Sequence, residues 1–226
     1  MEKTYSIAID GPAGAGKSTI AKALAKELGF CYVDTGAIYR TVAYFLDLLG
    51  VSPKDADGVE RYLDELTIGI EYDDEGKQHM IMNGMDVSGE IRTQDISQKA
   101  SLVSAYPIVR EMLLDMQRDV ARKNNVIMDG RDIGTVVLPK ADVKIFLTAS
   151  VEVRAKRRYD ELIEKGQKAE LGQIQKEIEQ RDYQDTHRPI APLKMAKDSV
   201  KLDTSDLDID QVVEAIRKIA EEKIPK

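Results

Sequence analysis

The sequence predicts an α/β fold, a mostly parallel sheet with helices on both faces. Two observations predict it. Short apolar runs rich in β-formers alternate with longer helical stretches along most of the chain, and one antiparallel ribbon interrupts the series. The first run, Tyr5-Ser6-Ile7-Ala8-Ile9-Asp10, is a strand that ends at Gly11. From residue 17 to 28, Ile20, Ala21, Leu24, Ala25 and Leu28 recur at spacings of three and four, the signature of one apolar helical face. Gly29 stops that helix, and Cys31-Tyr32-Val33 forms a second short strand. Residues 37–49 read as a helix closed by Gly50 and Pro53. Further strands are expected at 126–128, 143–147 and 199–202, with helical patterns between them and a last helix over 209–222.

The ribbon lies between residues 67 and 88. Thr67-Ile68-Gly69-Ile70-Glu71-Tyr72, the turn Asp73-Asp74-Glu75-Gly76 and His79-Met80-Ile81-Met82 form a hairpin, and Asn83-Gly84 is a second turn signal. A hairpin inside a series of strands and helices is most simply a small inserted subdomain. The 226 residues suit one compact domain carrying such an insert, and no repeat or low-complexity tract divides them.

Composition excludes several classes of function. With 42% hydrophobic and 32% charged residues, a sizeable core forms and global disorder is excluded. The 33 Lys and Arg against 40 Asp and Glu give a net charge of -7, which offers no broad cationic field for nucleic acid. No apolar run approaches the roughly 20 residues that span a bilayer. Met1-Glu2-Lys3-Thr4 leads into a strand without a secretory apolar stretch, so a soluble cytoplasmic protein is expected. Cys31 is the only cysteine, which rules out an internal disulfide. The two histidines, His79 and His187, are too scattered for a histidine metal centre.

The chemistry is carried by Gly11-Pro12-Ala13-Gly14-Ala15-Gly16-Lys17-Ser18, which fits G-x-x-x-x-G-K-[ST] without mismatch, after a strand and at the opening of a helix. Glycines let the backbone curl so that successive N–H groups converge on phosphate oxygens. The helix N-terminus, which continues through Thr19, adds unpaired donors and the positive end of its dipole. Lys17 has the reach for β- and γ-phosphates, and the Ser18 hydroxyl suits magnesium. A nucleoside triphosphate site does not by itself identify a reaction. No Asn-Lys-x-Asp guanine-reading motif is present, and Gly130 follows Asp129 where many ATPases carry a second acid to activate water. The absence of a hydrolytic acid pair favours transfer to a bound acceptor.

Three arginine-bearing clusters supply an acceptor side. Asp34-Thr35-Gly36-Ala37-Ile38-Tyr39-Arg40 and Asp129-Gly130-Arg131-Asp132-Ile133-Gly134-Thr135 each follow a strand, at the sheet edge where ligands bind. Arg154, Arg157, Arg158, Arg181 and Arg188 make up the third, five of the 13 arginines within 35 residues. Guanidinium groups in an acidic chain point to focused anion recognition. Plain structural alternatives stand beside these readings. The 152–158 stretch also suits a solvated helix face, Asp34 a helix cap, and Asp132 a loop carboxylate bonded to backbone amides. Tyr39 suits either the core or a nucleotide contact.

Taken together, the blocks Ile9-Asp10-Gly11-Pro12 to Ser18, Asp34 to Arg40, Asp86-Val87-Ser88-Gly89-Glu90-Ile91-Arg92, Asp129 to Thr135 and Arg181-Asp182 to Arg188 closely resemble the bacterial cytidylate kinases, nucleoside monophosphate kinases of the P-loop class. The resemblance covers nearly the whole chain, and its last four blocks are far more specific than the phosphate loop. It implies a P-loop kinase fold with a five-stranded parallel sheet, a small antiparallel β insert that binds the monophosphate, near 62–100, and a helical lid near 151–190, all within one domain over 1–226. The implied reaction transfers a phosphoryl group from ATP to CMP or dCMP with Mg²⁺, in pyrimidine metabolism, by a monomer that needs neither nucleic acid nor membrane.

Residue by residue, the resemblance places Gly11, Pro12, Ala13, Gly14, Ala15, Gly16, Lys17, Ser18 and Thr19 around ATP, and Ser18 and Asp34 at the metal. Thr35, Arg40, Arg110, Asp132, Arg181 and Arg188 would surround the monophosphate, with Asp185 facing its sugar. Lys17, Arg131, Arg154 and Arg158 would act on the transferring group. The family usually has serine where Thr35 stands, and the hydroxyl is kept.

Overall fold

The computed structural model describes residues 3–224; Met1 and Glu2, read above for their lack of a secretory stretch, lie outside the described residues. Five strands form the central sheet: β1 (Ser6–Asp10), β2 (Cys31–Asp34), β6 (Val126–Gly130), β7 (Val143–Thr148) and β8 (Val200–Asp203), in spatial order β2-β6-β1-β7-β8. Every neighbouring pair is parallel. Alternate residues face opposite layers because the side-chain period of a strand is two. Ile7 and Ile9 of β1 and Ile127 of β6 pack with α1 (Lys17–Leu28) and α8 (Ile209–Lys223) on one face. Ala8, Val33 and Met128 face the other layer, where they meet Ala121 of α5 (Pro107–Lys123). The predicted strands and helices are present, with ends displaced by one or two residues. The helix expected over 37–49 begins earlier, as α2 (Thr35–Leu48), because the Asp34 carboxylate accepts the Ala37 N–H and caps it.

The ribbon is a three-stranded antiparallel sheet of β3 (Ile68–Tyr72), β4 (Gln78–Met82) and β5 (Met85–Asp86). The expected hairpin gains its third strand because Asn83 and Gly84 both take positive φ, 48° and 83°, the geometry of a two-residue hairpin turn. Helices α3 (Ala56–Leu63) and α4 (Gln94–Val103) flank this sheet, and Met80, Met82, Val59, Leu63 and Val103 share a core with Ile38, Phe45 and Leu46 of α2. The insert is thus packed on α2, the helix that opens with the Asp34 cluster.

After β7, α6 (Val151–Glu164) and α7 (Leu171–His187) pair through a small core of their own, Ala155, Leu162, Ile174 and Ile178. Among the described residues no helix is long and apolar enough to cross a membrane.

Candidate functional site

The carboxyl ends of β1, β2 and β6 open onto one edge of the sheet, and the candidate residues gather there. Gly11 leaves β1 so close to β7 that a Cβ would lie 1.9 Å from the Leu147 carbonyl oxygen, so only glycine fits. At the far end of the loop Gly16, with φ 86°, supplies the left-handed turn that opens α1. Lys17, 5% exposed, donates from Nζ to the Pro12 carbonyl at 2.8 Å, folded back over its own loop. Burial, and then the charge of Arg131, push its ammonium down to about 7. The negative charge of a phosphate chain in the loop would oppose both effects.

Asp129, the last acid of the apolar β6 run, lies across from the loop. Ser18 Oγ donates to its Oδ2 at 2.9 Å and Tyr32 Oη to its Oδ1 at 2.7 Å, while Thr35 Oγ1 donates to its backbone carbonyl at 2.7 Å. Burial and the neighbouring Asp34 charge push the Asp129 carboxyl up, and burial with the Asp129 charge pushes the Tyr32 phenol up, which keeps it a donor. Among the described residues no three His, Cys, Asp or Glu side chains converge into a complete metal cage. Ser18 with the carboxylates Asp129 and Asp34 nevertheless fits magnesium, because these hard oxygen donors leave room for phosphate oxygens and their crowded negative charge calls for a cation. Asp34 is already engaged, with Oδ1 on Ala37 N–H and Oδ2 on Arg40 at 2.9 Å.

Two cavities that share lining residues such as Lys17, Arg40 and Arg181 occupy the edge. The larger, of about 810 Å³, runs from the phosphate loop between Arg158 and Ile178 of the helical pair and Gln94 and Ser97 of α4. The smaller, of about 240 Å³, is lined by Thr35, Arg40, Arg110, Asp132, Arg181, Asp185 and Arg188, which brings together every residue expected around the acceptor; Arg131 also lines it. Inside, Asp132 is bound by Arg110 and by Arg188, the latter at 3.3 Å, and Ser104 steadies both guanidiniums: its carbonyl accepts from Arg110 at 3.1 Å and its hydroxyl from Arg188 at 3.2 Å. Arg131 pairs with Asp185 at 2.7 Å. Burial works against the Asp185 carboxylate, yet Arg131 and Arg181 hold it below the usual carboxylate range. Among the described residues, Arg181 Nε and Arg40 Nε are buried without a hydrogen-bond partner. Buried unpaired guanidinium donors beside a cavity suit an anionic ligand.

The remaining arginines are dispersed. Arg154 is buried, bonded to the Ala13 and Ala149 carbonyls at 2.9 Å and doubly to Asp182, and lines neither cavity. Arg157 turns to Thr204 at the far side of the sheet, and Arg158 lines the larger cavity while bonded to Glu161 at 2.7 Å. Sequence reasoning missed the partners that hold the site together. Asp129 reads in the sequence as an acid closing an apolar strand, but is given no part there at the metal. Tyr32, Ser104 and Gln78 carried no signal. Gln78 of β4 is buried and reaches Asp34, its Oε1 accepting the backbone N–H at 2.7 Å and its Nε2 donating to the carbonyl at 3.3 Å.

A phosphate loop beside a cavity lined with arginines, on a doubly wound parallel sheet, defines a P-loop kinase of small acceptors. The cytidylate kinase family profile matches residues 7–222. Cytidylate kinases of Ligilactobacillus salivarius and of an Exiguobacterium species are 50% and 47% identical over 99% and 98% of this chain and 99% of each relative. The chain therefore belongs to the cytidylate kinase family. A solved structure of an uncharacterized protein from Eubacterium ventriosum, 16% identical, covers 97% of this chain and 99% of its own with a TM-score of 0.50, which is a likeness of fold alone.

Proposed function

We propose that the chain transfers the γ-phosphoryl group of ATP to CMP or dCMP, giving ADP and CDP or dCDP for pyrimidine nucleotide metabolism. The observation that carries this reading is the buried Arg110–Asp132–Arg188 group in the smaller cavity. The exocyclic amine of cytosine donates to a carboxylate such as Asp132, and its N3 and O2 accept from arginine. Uracil would turn a carbonyl toward the same carboxylate, an unfavourable pairing in a buried site.

A monophosphate acceptor is already anionic near neutral pH, so alignment and charge neutralisation are needed and a strong base is not. The backbone from Gly11 to Thr19 wraps the ATP phosphates, and Lys17 leaves the Pro12 carbonyl to pair with them. Thr35, Arg40 and Arg181 hold the acceptor phosphate, and Asp185 faces the sugar. Ser18, with Asp129 and Asp34, would hold magnesium, which would supply charge neutralisation at the phosphates. Arg131 and Arg158 border the space where the phosphoryl group passes, and Arg154, seated on the Ala13 carbonyl, braces the loop from the lid. The separate small core of α6 and α7 supports their acting as the lid over 151–190, and the packing of 62–100 on α2 supports an acceptor-binding insert. In this reading one chain supplies the whole site, so the enzyme works as a monomer on free nucleotides in the cytoplasm. The charge of -7 supports an absence of nucleic-acid partners.

The test is coupled ADP release from Mg·ATP with CMP, dCMP, UMP, AMP or shikimate as separate acceptors. Rapid turnover confined mainly to CMP and dCMP is expected. Release with another acceptor alone overturns the cytidylate reading, and no acceptor-dependent release overturns the kinase.

A further inference from the structure

We propose that Tyr32 is a positioning residue for the metal-bound phosphates, its phenol fixing the rotation of the Asp129 carboxylate so that Oδ2 stays directed at Ser18. This rests on the reading above, in which Ser18 and Asp129 hold magnesium. The β2–β6 register sets Tyr32 beside Ile127 and Asp34 beside Asp129, so the phenol reaches diagonally to the carboxylate. Its ring is packed in the core shared with Ile7, Ile9 and Leu24, and residue 32 is 6% exposed. A carboxylate rotates easily about its terminal torsion, which is broad and roughly two-fold. Here that rotation is stopped from both sides, by Tyr32 Oη on Oδ1 at 2.7 Å and by Ser18 Oγ on Oδ2 at 2.9 Å.

The two donors do different work. Ser18 would hold magnesium through an oxygen lone pair and keep its O–H on Oδ2, so a bound metal would draw on the Oδ2 side, and Tyr32 is the donor that holds the opposite oxygen. Asp129 is 5% exposed, so bulk water is poorly placed to replace the phenol. Tyr32 is itself anchored from outside the central sheet, because its backbone carbonyl accepts from Tyr72 Oη of the insert at 3.1 Å. Hydrogen-bond partners of metal-holding carboxylates typically change metal affinity or activity about 10–100-fold when removed.

The test is Tyr32→Phe, which keeps the packed ring and removes only the hydroxyl. ADP binding is measured by calorimetry with MgCl₂ and with EDTA, no acceptor present, alongside thermal unfolding of each protein. The expected result is a metal-dependent gain in ADP affinity about tenfold smaller than in the parent chain, with metal-free affinity unchanged. In an Asp129→Asn background the same substitution is expected to change nothing further, as a residue acting through Asp129 must. An unchanged or larger gain, an equal loss with and without metal, or an effect that persists beside Asp129→Asn overturns the proposal. If the parent chain itself shows no magnesium-dependent gain, the metal reading falls and takes this inference with it. A failure of CMP in the acceptor panel leaves both standing.

Discussion

Asp132 holds Arg110 and Arg188 together in the smaller cavity, and its loss has consequences that a surface carboxylate would lack. Removing one member of a buried ion group leaves uncompensated charge, typically about 3–5 kcal/mol of disruption. Asp132→Ala is therefore expected to raise the KM for CMP at least about tenfold, to leave the KM for ATP nearly unchanged, and to narrow the preference for CMP over UMP. Steady-state kinetics with both acceptors checks it, and parent-like turnover with unchanged base preference removes Asp132 as the base reader. Asp10 makes a different prediction. Its carboxylate accepts the Ile133 and Gly134 N–H groups at 2.7 Å, which holds the loop that carries Asp132. Burial, despite these two bonds, pushes it up to about 6 from an ordinary value of 3.8. The folded state thus keeps a proton that the unfolded chain releases, so stability from this group falls as pH rises from about 4 to 6 and levels off above. A rise of this size corresponds to at most about 3 kcal/mol. Urea unfolding of Asp10→Asn at pH 5 and pH 7 is expected to lack this part of the decline.

Between elements, the insert meets the central sheet at β2, an edge strand. It docks there through side chains and not through a ladder: Gln78 takes the Asp34 N–H and carbonyl, and Tyr72 donates to the Tyr32 carbonyl. The edge is satisfied without merging the two sheets. The same Asp34 caps α2 and holds Arg40, so the grip of Gln78 is transmitted to the proposed acceptor phosphate site. Gln78→Leu preserves volume but orphans the buried Asp34 N–H, a penalty of about 1–3 kcal/mol. It is expected to raise the KM for CMP several-fold with a smaller effect on the KM for ATP, and to lower the unfolding temperature by several degrees. Equal changes in both KM values would mean that the insert supports the whole fold and not the acceptor side.

For the molecule as a whole, the two cavities lie between separately cored bodies, the sheet with α2 and the insert on one side and the α6–α7 pair on the other. Ligands that bridge them bind the folded state only. At one hundred times its dissociation constant each contributes about 2.7 kcal/mol. For a chain of this size, Mg·ADP and CMP together are expected to raise the unfolding temperature by roughly 10–20 °C, measured by calorimetry. A rise with Mg·ADP alone that CMP does not extend would contradict a shared site.

The phosphate loop and the alternating core were legible from residue order because their causes are local. A loop that presses its backbone against Leu147 admits only glycine at position 11, and a helix face or a strand declares itself by spacing within one element. That Thr35, Arg40, Arg110, Asp132, Arg181, Asp185 and Arg188 belong together was legible only as motif blocks resembling a family, and the structure gathers them around the smaller cavity. Fates of the individual arginines were not written in their spacing. Arg181 and Arg188 face the smaller cavity, whereas Arg154 is bound to Asp182 and Arg157 to Thr204. Nor did any local pattern announce that Tyr32 reaches Asp129, 97 residues away, or that Gln78 grips Asp34. A guanidinium, a phenol or an amide bonds to whatever the fold sets within about 3 Å of it, and that neighbour is chosen when the strands and the insert pack together.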